Sequence, residues 1–252
     1  MGRTYAIASQ KGGTGKTSTA ISIAACLARA GKHILLIDID SQANASKVLL
    51  PRYQDTIKKE DSLYRTIMER QPLAIHATTV PNLDVVASHI LLSETDVRLT
   101  TALDHRESRL KDQLLKVQQN YDYVFIDCPP ALSWLTINAF SAADEVIVVI
   151  SPGYFELEST VQIGKTIKEV QDNFNPSLKM RGFLFTMSDP TVNTATSLRL
   201  LRGAYADFVL RTIIPRNVDL KDASMNKQDI FAYSPNSKAG LAYKRLVEEL
   251  FP

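Results

Sequence analysis

The sequence predicts an α/β fold in which helices cover both faces of a mostly parallel, twisted sheet. Three observations lead there. Short apolar runs alternate with helical patterns along the 252 residues, and that alternation builds βα units. Runs such as 34–37 and 146–150 have few polar residues, as suits strands covered on both faces. Three strand ends read Ser9-Gln10-Lys11, Asp38-Ile39-Asp40 and Asp127-Cys128-Pro129. These are polar, and ligands of open parallel sheets bind beyond the carboxyl ends of the strands.

Taken in order, strands are expected over 4–9, 33–39, 83–87, 123–127, 145–150 and 180–186, with a short one near 211–214. Helices are expected over 16–30, 93–120, 132–142, 157–173, 194–209 and 238–250. Crossovers should be right-handed. Residues 50–80 are the least regular, with a weak helix around 62–70, and read as a surface excursion. With no linker or repeat in view, residues 1–252 form one expected domain.

Composition narrows the classes. Hydrophobic residues make up 45% and charged residues 22%, ordinary for a globular protein. The net charge of +2 neither demands nor excludes nucleic acid, so any DNA contact must come from a local patch. Cys26 and Cys128 lack metal-type spacing and read as small core residues, in keeping with a reducing cytosol. The four histidines form no cluster. The first apolar run stops at once in a polar, glycine-rich loop, so no signal peptide is expected. No segment approaches the ~18 apolar residues of a membrane span. A cytoplasmic protein is expected.

The most specific segment is Gln10-Lys11-Gly12-Gly13-Thr14-Gly15-Lys16-Thr17. It follows a strand and opens a helix, the context a phosphate loop requires. Glycines let the backbone wrap closely and turn its N–H groups on phosphate oxygens, and the next helix adds its positive N-terminal end. Lys16 is expected on the β- and γ-phosphates and Thr17 on magnesium. Gln10 stands where the usual pattern has glycine, and Lys11 adds a second lysine at the front. The Lys16-Thr17 ending belongs to triphosphate binding and sets aside a dinucleotide fingerprint.

Asp127, at the end of Tyr123-Val124-Phe125-Ile126-Asp127, is the expected magnesium partner. Asp38 and Asp40 end the second expected strand. Either can orient water toward a γ-phosphate, and spacing does not choose between them.

Together these segments resemble the ParA/MinD family of deviant Walker ATPases. The resemblance rests on residues 11–17, on Asp38-Ile39-Asp40-Ser41-Gln42-Ala43-Asn44, on 121–130 and on Ile214-Pro215-Arg216-Asn217-Val218, with Ser237-Lys238-Ala239-Gly240 and Tyr243 also familiar. It spans residues 4 to about 250 and is nearest the short, Soj-like ParA branch. It implies a P-loop NTPase fold of the deviant Walker A type, ATP and magnesium as cofactors, and a homodimer that sandwiches two ATP molecules. Lys11 would cross to the partner's phosphates, and Asp40 would position the attacking water. Gly12, Gly13, Thr14, Gly15 and Ser18 would join Lys16 and Thr17 around the nucleotide, with Met187 and Pro215 from later segments. The ATP dimer would bind DNA without sequence preference on the nucleoid. A ParB-like or other adaptor would stimulate hydrolysis, and the cycle would partition DNA or other large cargo.

This sequence departs from the family at Ser41, where proline is usual, and in 151–158, which looks shorter. The loop Met187-Ser188-Asp189-Pro190 matches loosely. No helix-turn-helix segment precedes the first strand, so a sequence-specific repressor is not expected.

Candidate DNA contacts are Arg199, Arg202, Arg211, Arg216, Lys221 and Lys227, which could neutralise phosphates without reading bases. Asp207, Asp219 and Asp222 are interspersed, as on an ordinary solvated face. Two other classes remain. A MinD-like membrane switch needs an amphipathic C-terminal helix with a basic face. Residues 244–252 instead carry Glu248 and Glu249, end in proline and read as the last helix of the fold. A metabolic synthetase needs an acid-binding pocket that the sequence does not reveal.

Overall fold

The computed structural model describes residues 2–153 and 156–252, with side chains assigned outside 154–159. Its strands are β1 (Arg3–Ala8), β2 (Ile34–Asp38), β3 (Ile75–Ala77), β4 (Leu83–Val86), β5 (Tyr123–Asp127), β6 (Glu145–Ile150) and β7 (Lys179–Phe185). They form one sheet in the order β3-β4-β2-β5-β1-β6-β7. Every pairing is parallel except β3 with β4.

The helices are α1 (Lys16–Arg29), α2 (Asn44–Leu49), α3 (Tyr53–Thr56), α4 (Leu63–Glu69), α5 (Thr95–Thr100), α6 (Arg109–Leu114), α7 (Trp134–Ala142), α8 (Glu156–Asn173), α9 (Val192–Tyr205), α10 (Val218–Met225), α11 (Ile230–Tyr233) and α12 (Lys238–Leu250). Two buried clusters lie on the two faces of the sheet. One joins α1, α2, α11 and α12 to residues such as Tyr5, Leu36 and Phe125. The other joins α4 to α9 to Ala6, Ile37 and Ile126. Neighbouring strand residues thus point into different cores, which is why the strands read as continuous apolar runs.

The first and last helices are joined in the core. The Thr19 hydroxyl of α1 lies 3.1 Å from the Tyr243 hydroxyl of α12. Burial pushes Tyr243 up to about 12. Leu246 and Leu250 of α12 are buried in the same cluster, so the apolar face of this helix is used inside the fold.

Several expected elements differ. Residues 93–120 form no single helix. The chain turns back at His105, whose φ is +32°, while the Arg106 guanidinium donates to the carbonyls of Leu99 and Thr100 at 3.1 and 2.5 Å. Asn138 of α7 then clamps the bend, donating to the Arg106 carbonyl at 2.7 Å and accepting from the Leu110 amide at 3.2 Å.

The expected strand near 211–214 is replaced by isolated bridges at Val209 and Pro215. The amides of Arg211 and Thr212 go to the Glu249 carboxylate, each at 2.8 Å, and so are withdrawn from a ladder with β7. Strand β3 and the short helices α2, α3, α10 and α11 were not expected. Cys128 is buried, whereas Cys26 is only half-buried. No described helix is long and apolar enough to cross a membrane.

Candidate functional site

Strands β2, β5 and β1 are adjacent, and their carboxyl ends bring together the three polar segments expected to act together. Residues 9–15 leave β1 and open α1. Gly13 and Gly15 hold φ of +76° and +87°, the left-handed region that glycine enters without steric cost. α1 then begins with no side-chain cap and no acidic residue in its first turn. Its leading N–H groups and positive helix end are left for an anion.

Lys16 is only 6% exposed, and its ammonium donates to the Lys11 carbonyl at 3.0 Å. Burial lowers its pKa, with Asp127 opposing. Asp127 is fully buried. Neither of its carboxylate oxygens has a partner in strict hydrogen-bond geometry. Burial raises its pKa well above the carboxylate range, and Asp38 raises it further. The Thr17 side chain and the Lys16 ammonium pull it back. A fully buried acid with so little to offset its charge is unfavourable by itself, and an oxygen pair of carboxylate and threonine hydroxyl suits a hard divalent cation.

The structure also separates Asp38, the last residue of β2, from Asp40, two residues beyond it. Asp38 is fully buried. Its Oδ2 accepts from the Ser46 amide at 2.8 Å and the Ser46 hydroxyl at 2.7 Å, and its Oδ1 from the Asp40 amide at 3.3 Å. Burial lifts its pKa to about 7 despite these bonds. Asp38 is therefore committed to holding the loop, through Ser46, which in turn accepts from the Ser88 amide at 2.9 Å. Asp40 is held by its backbone, with Ser88 Oγ donating to its carbonyl at 2.5 Å. Its Oδ1 accepts from the Gln42 amide at 3.0 Å, and Asp40 lines the cavity described next.

A cavity of about 570 Å³ lies against the loop. Its lining includes Gly12, Gly13, Gly15, Lys16, Thr17 and Ser18, with Asp40, Met187 and Pro130. Thr14 does not line it; its carbonyl accepts from the Thr186 hydroxyl at 2.7 Å. Met187, at φ +52°, reaches it from the loop after β7. Pro215 does not line the cavity but lies next to that loop, bridged to Ser188. Lys11 is half-buried at the front of the loop.

Sequence reasoning missed that α10 lines the cavity, with Lys221, Ser224 and Met225, as α2 does with Lys47 and Val48. Asn217 was the available signal: its side chain caps α10 by accepting from the Asp219 amide at 2.8 Å.

The basic residues expected on DNA divide. Arg199, Arg202 and Arg216 are exposed. Arg211 lies 3.6 Å from Glu249, and Lys227 donates to the Pro51 carbonyl at 2.7 Å. Lys221 lines the cavity. The described residues hold no cluster of histidine, cysteine or acid side chains of metal-site type. The segment 151–158 lies partly outside the described residues.

A phosphate loop with a second lysine, and an acid at the end of β5, on a parallel sheet of this order define a P-loop ATPase. The AAA domain family model matches residues 2–180. The sporulation initiation inhibitor protein Soj of Bacillus subtilis is 40% identical over 99% of this chain and 98% of its own length. The chromosome partitioning protein ParA of Myxococcus xanthus is 39% identical over 99% of this chain and 88% of its own. Among solved structures, cobyrinic acid a,c-diamide synthase from Mycobacterium smegmatis, with bound ADP and magnesium, superposes with a TM-score of 0.83. It is 30% identical, covering 98% of this chain and 93% of that one. The chain belongs to the ParA/MinD family of P-loop ATPases, enzymes that use ATP and magnesium.

Proposed function

We propose that this protein is a ParA-type ATPase switch that partitions or positions DNA or other large cargo. Residues 1–252 act as a single ATPase domain, cytoplasmic and associated with the nucleoid. The observation that carries this reading is the fully buried Asp127 carboxylate, its pKa raised by burial, beside Thr17 and Lys16, under a glycine loop and an uncapped helix.

In this reading Gly12, Gly13, Thr14, Gly15 and Ser18 wrap the phosphates, and Lys16 leaves the Lys11 carbonyl to neutralise the β- and γ-phosphates. Thr17 and Asp127 hold magnesium, which supplies charge neutralisation to the phosphoryl oxygens. Asp40 orients the attacking water with the carboxylate oxygen that Gln42 leaves free. Lys11 reaches the partner's phosphates across an ATP-bound homodimer. Met187, with Pro215 behind it, borders the base. The dimer binds DNA without sequence preference through Arg199, Arg202 and Arg216, and a ParB-like or other adaptor stimulates hydrolysis and resets the cycle.

The Mycobacterium smegmatis relative bears the name of a synthase, but identity to partition proteins is higher, at 39–40% over 99% of the chain. That balance favours the switch. The buried apolar face of α12 argues against a MinD-like membrane helix.

The test is retention on random-sequence DNA across salt concentrations, with light scattering for mass. Wild type with ATP and magnesium should form a dimer and hold DNA at low salt, with a steep salt dependence. ADP, or Lys11→Ala with ATP, should greatly reduce both. Equal retention with ATP and ADP sinks the switch.

A further inference from the structure

We propose that Lys221 is a nucleotide-contacting residue whose ammonium faces the phosphate tail of ATP from α10, across the cavity from the phosphate loop. It thereby strengthens the site's preference for a triphosphate over nucleotides of lower charge. This rests on the reading of the cavity as the ATP site.

Lys221, Ser224 and Met225 all line the cavity, and their i, i+3, i+4 spacing puts them on one face of α10. Three lysines and one aspartate are among its lining residues: Lys16, Lys47 and Lys221 against Asp40. Two of the three are already engaged. Lys16 donates to the Lys11 carbonyl at 3.0 Å and Lys47 to the Gln42 carbonyl at 2.7 Å. Lys221 makes no hydrogen bond or ion pair among the described residues.

Its helix is fixed at both ends. Asn217 caps the start, and Lys227, just past the finish, donates to the Pro51 carbonyl at 2.7 Å. The ammonium is thus presented to the cavity from a held element, as a long-range charge that a polyanion can use. At the mouth of an open cavity, where the effective dielectric lies between protein and water, one such charge changes affinity by about threefold to tenfold.

The experiment is calorimetric titration of wild type, Lys221→Gln and Lys221→Arg with Mg-ATP, Mg-ADP and adenosine at low and high salt. Lys221→Gln should weaken Mg-ATP by about threefold to tenfold, Mg-ADP by less and adenosine not at all. Lys221→Arg should restore the affinity, and high salt should shrink the difference. Equal melting temperatures without nucleotide check that the fold is intact.

Unchanged Mg-ATP affinity in Lys221→Gln overturns the proposal, as does an equal loss for adenosine. Lost DNA retention with normal ATP affinity overturns it in favour of a DNA contact. Failure of wild type to bind Mg-ATP would instead remove the nucleotide reading of the cavity, and the wild-type titration alone shows that.

Discussion

Replacing Asp127 with asparagine should stabilise the nucleotide-free protein and remove its response to magnesium. The carboxyl is fully buried, with only the Thr17 side chain and the Lys16 ammonium to offset its charge, and its pKa is raised, chiefly by burial. A buried charge costs more than a neutral buried polar group, and about 1–3 kcal/mol of that excess is relieved when the charge is removed. The amide keeps the shape and loses the charge. For a chain of this size each kcal/mol moves the melting temperature by roughly 2–4 °C, so a rise of about 2–12 °C is expected at pH 7.5.

The pH dependence fixes the cause. An acid whose native pKa is raised favours the folded state below its unfolded value near 4. That contribution is lost as pH rises through the native value. Asparagine does not titrate, so its advantage should be greatest at neutral pH and shrink toward pH 4. Asp38, also raised by burial, to about 7, remains in both proteins. Scanning calorimetry from pH 4 to 8, with and without Mg-ATP, measures the effect. Wild type should gain stability from Mg-ATP beyond its gain from ATP with chelator, and Asp127→Asn should not. An Asp127→Asn protein that melts at or below wild type at pH 7.5 without nucleotide refutes the argument that the acid is held at a cost for the metal.

Asp40→Ala should keep ATP binding and dimerisation while hydrolysis slows by orders of magnitude, since positioning and charge stabilisation carry phosphoryl transfer. A phosphate-release assay at saturating ATP checks it, and a normal rate moves the role to another group. Tyr243→Phe should destabilise the protein by about 1 kcal/mol, because the buried Thr19 hydroxyl loses its partner. Urea unfolding measures this, and no change in the midpoint would mean that Thr19 is satisfied elsewhere.

The legible parts of the fold were those with strong periodicity or special chemistry. The parallel strands show as apolar runs because both faces are buried, and the phosphate loop shows because few sequences place Gly13, Gly15 and Lys16 between a strand and a helix. What was not legible depends on distant partners. The break inside 93–120 is made by Asn138, and the lost strand near 211–214 by Glu249. No local window contains either. Spacing alone left Asp38 and Asp40 equivalent; the Ser46 bonds separate them. The α10 wall was hidden for the same reason. Lys221 reads as one more basic surface residue until the fold carries it some two hundred positions back to the loop.

The Thr19–Tyr243 contact spans 224 positions, and it lies directly behind the phosphate loop. A chain emerging from the ribosome presents the loop early and its buttress late. Long-range closure of this kind is slow, and domains form as units during synthesis. The growing chain therefore exposes a complete Gly-Lys-Thr signature well before it owns a supported nucleotide cavity, so commitment to ATP waits until α12 has been made.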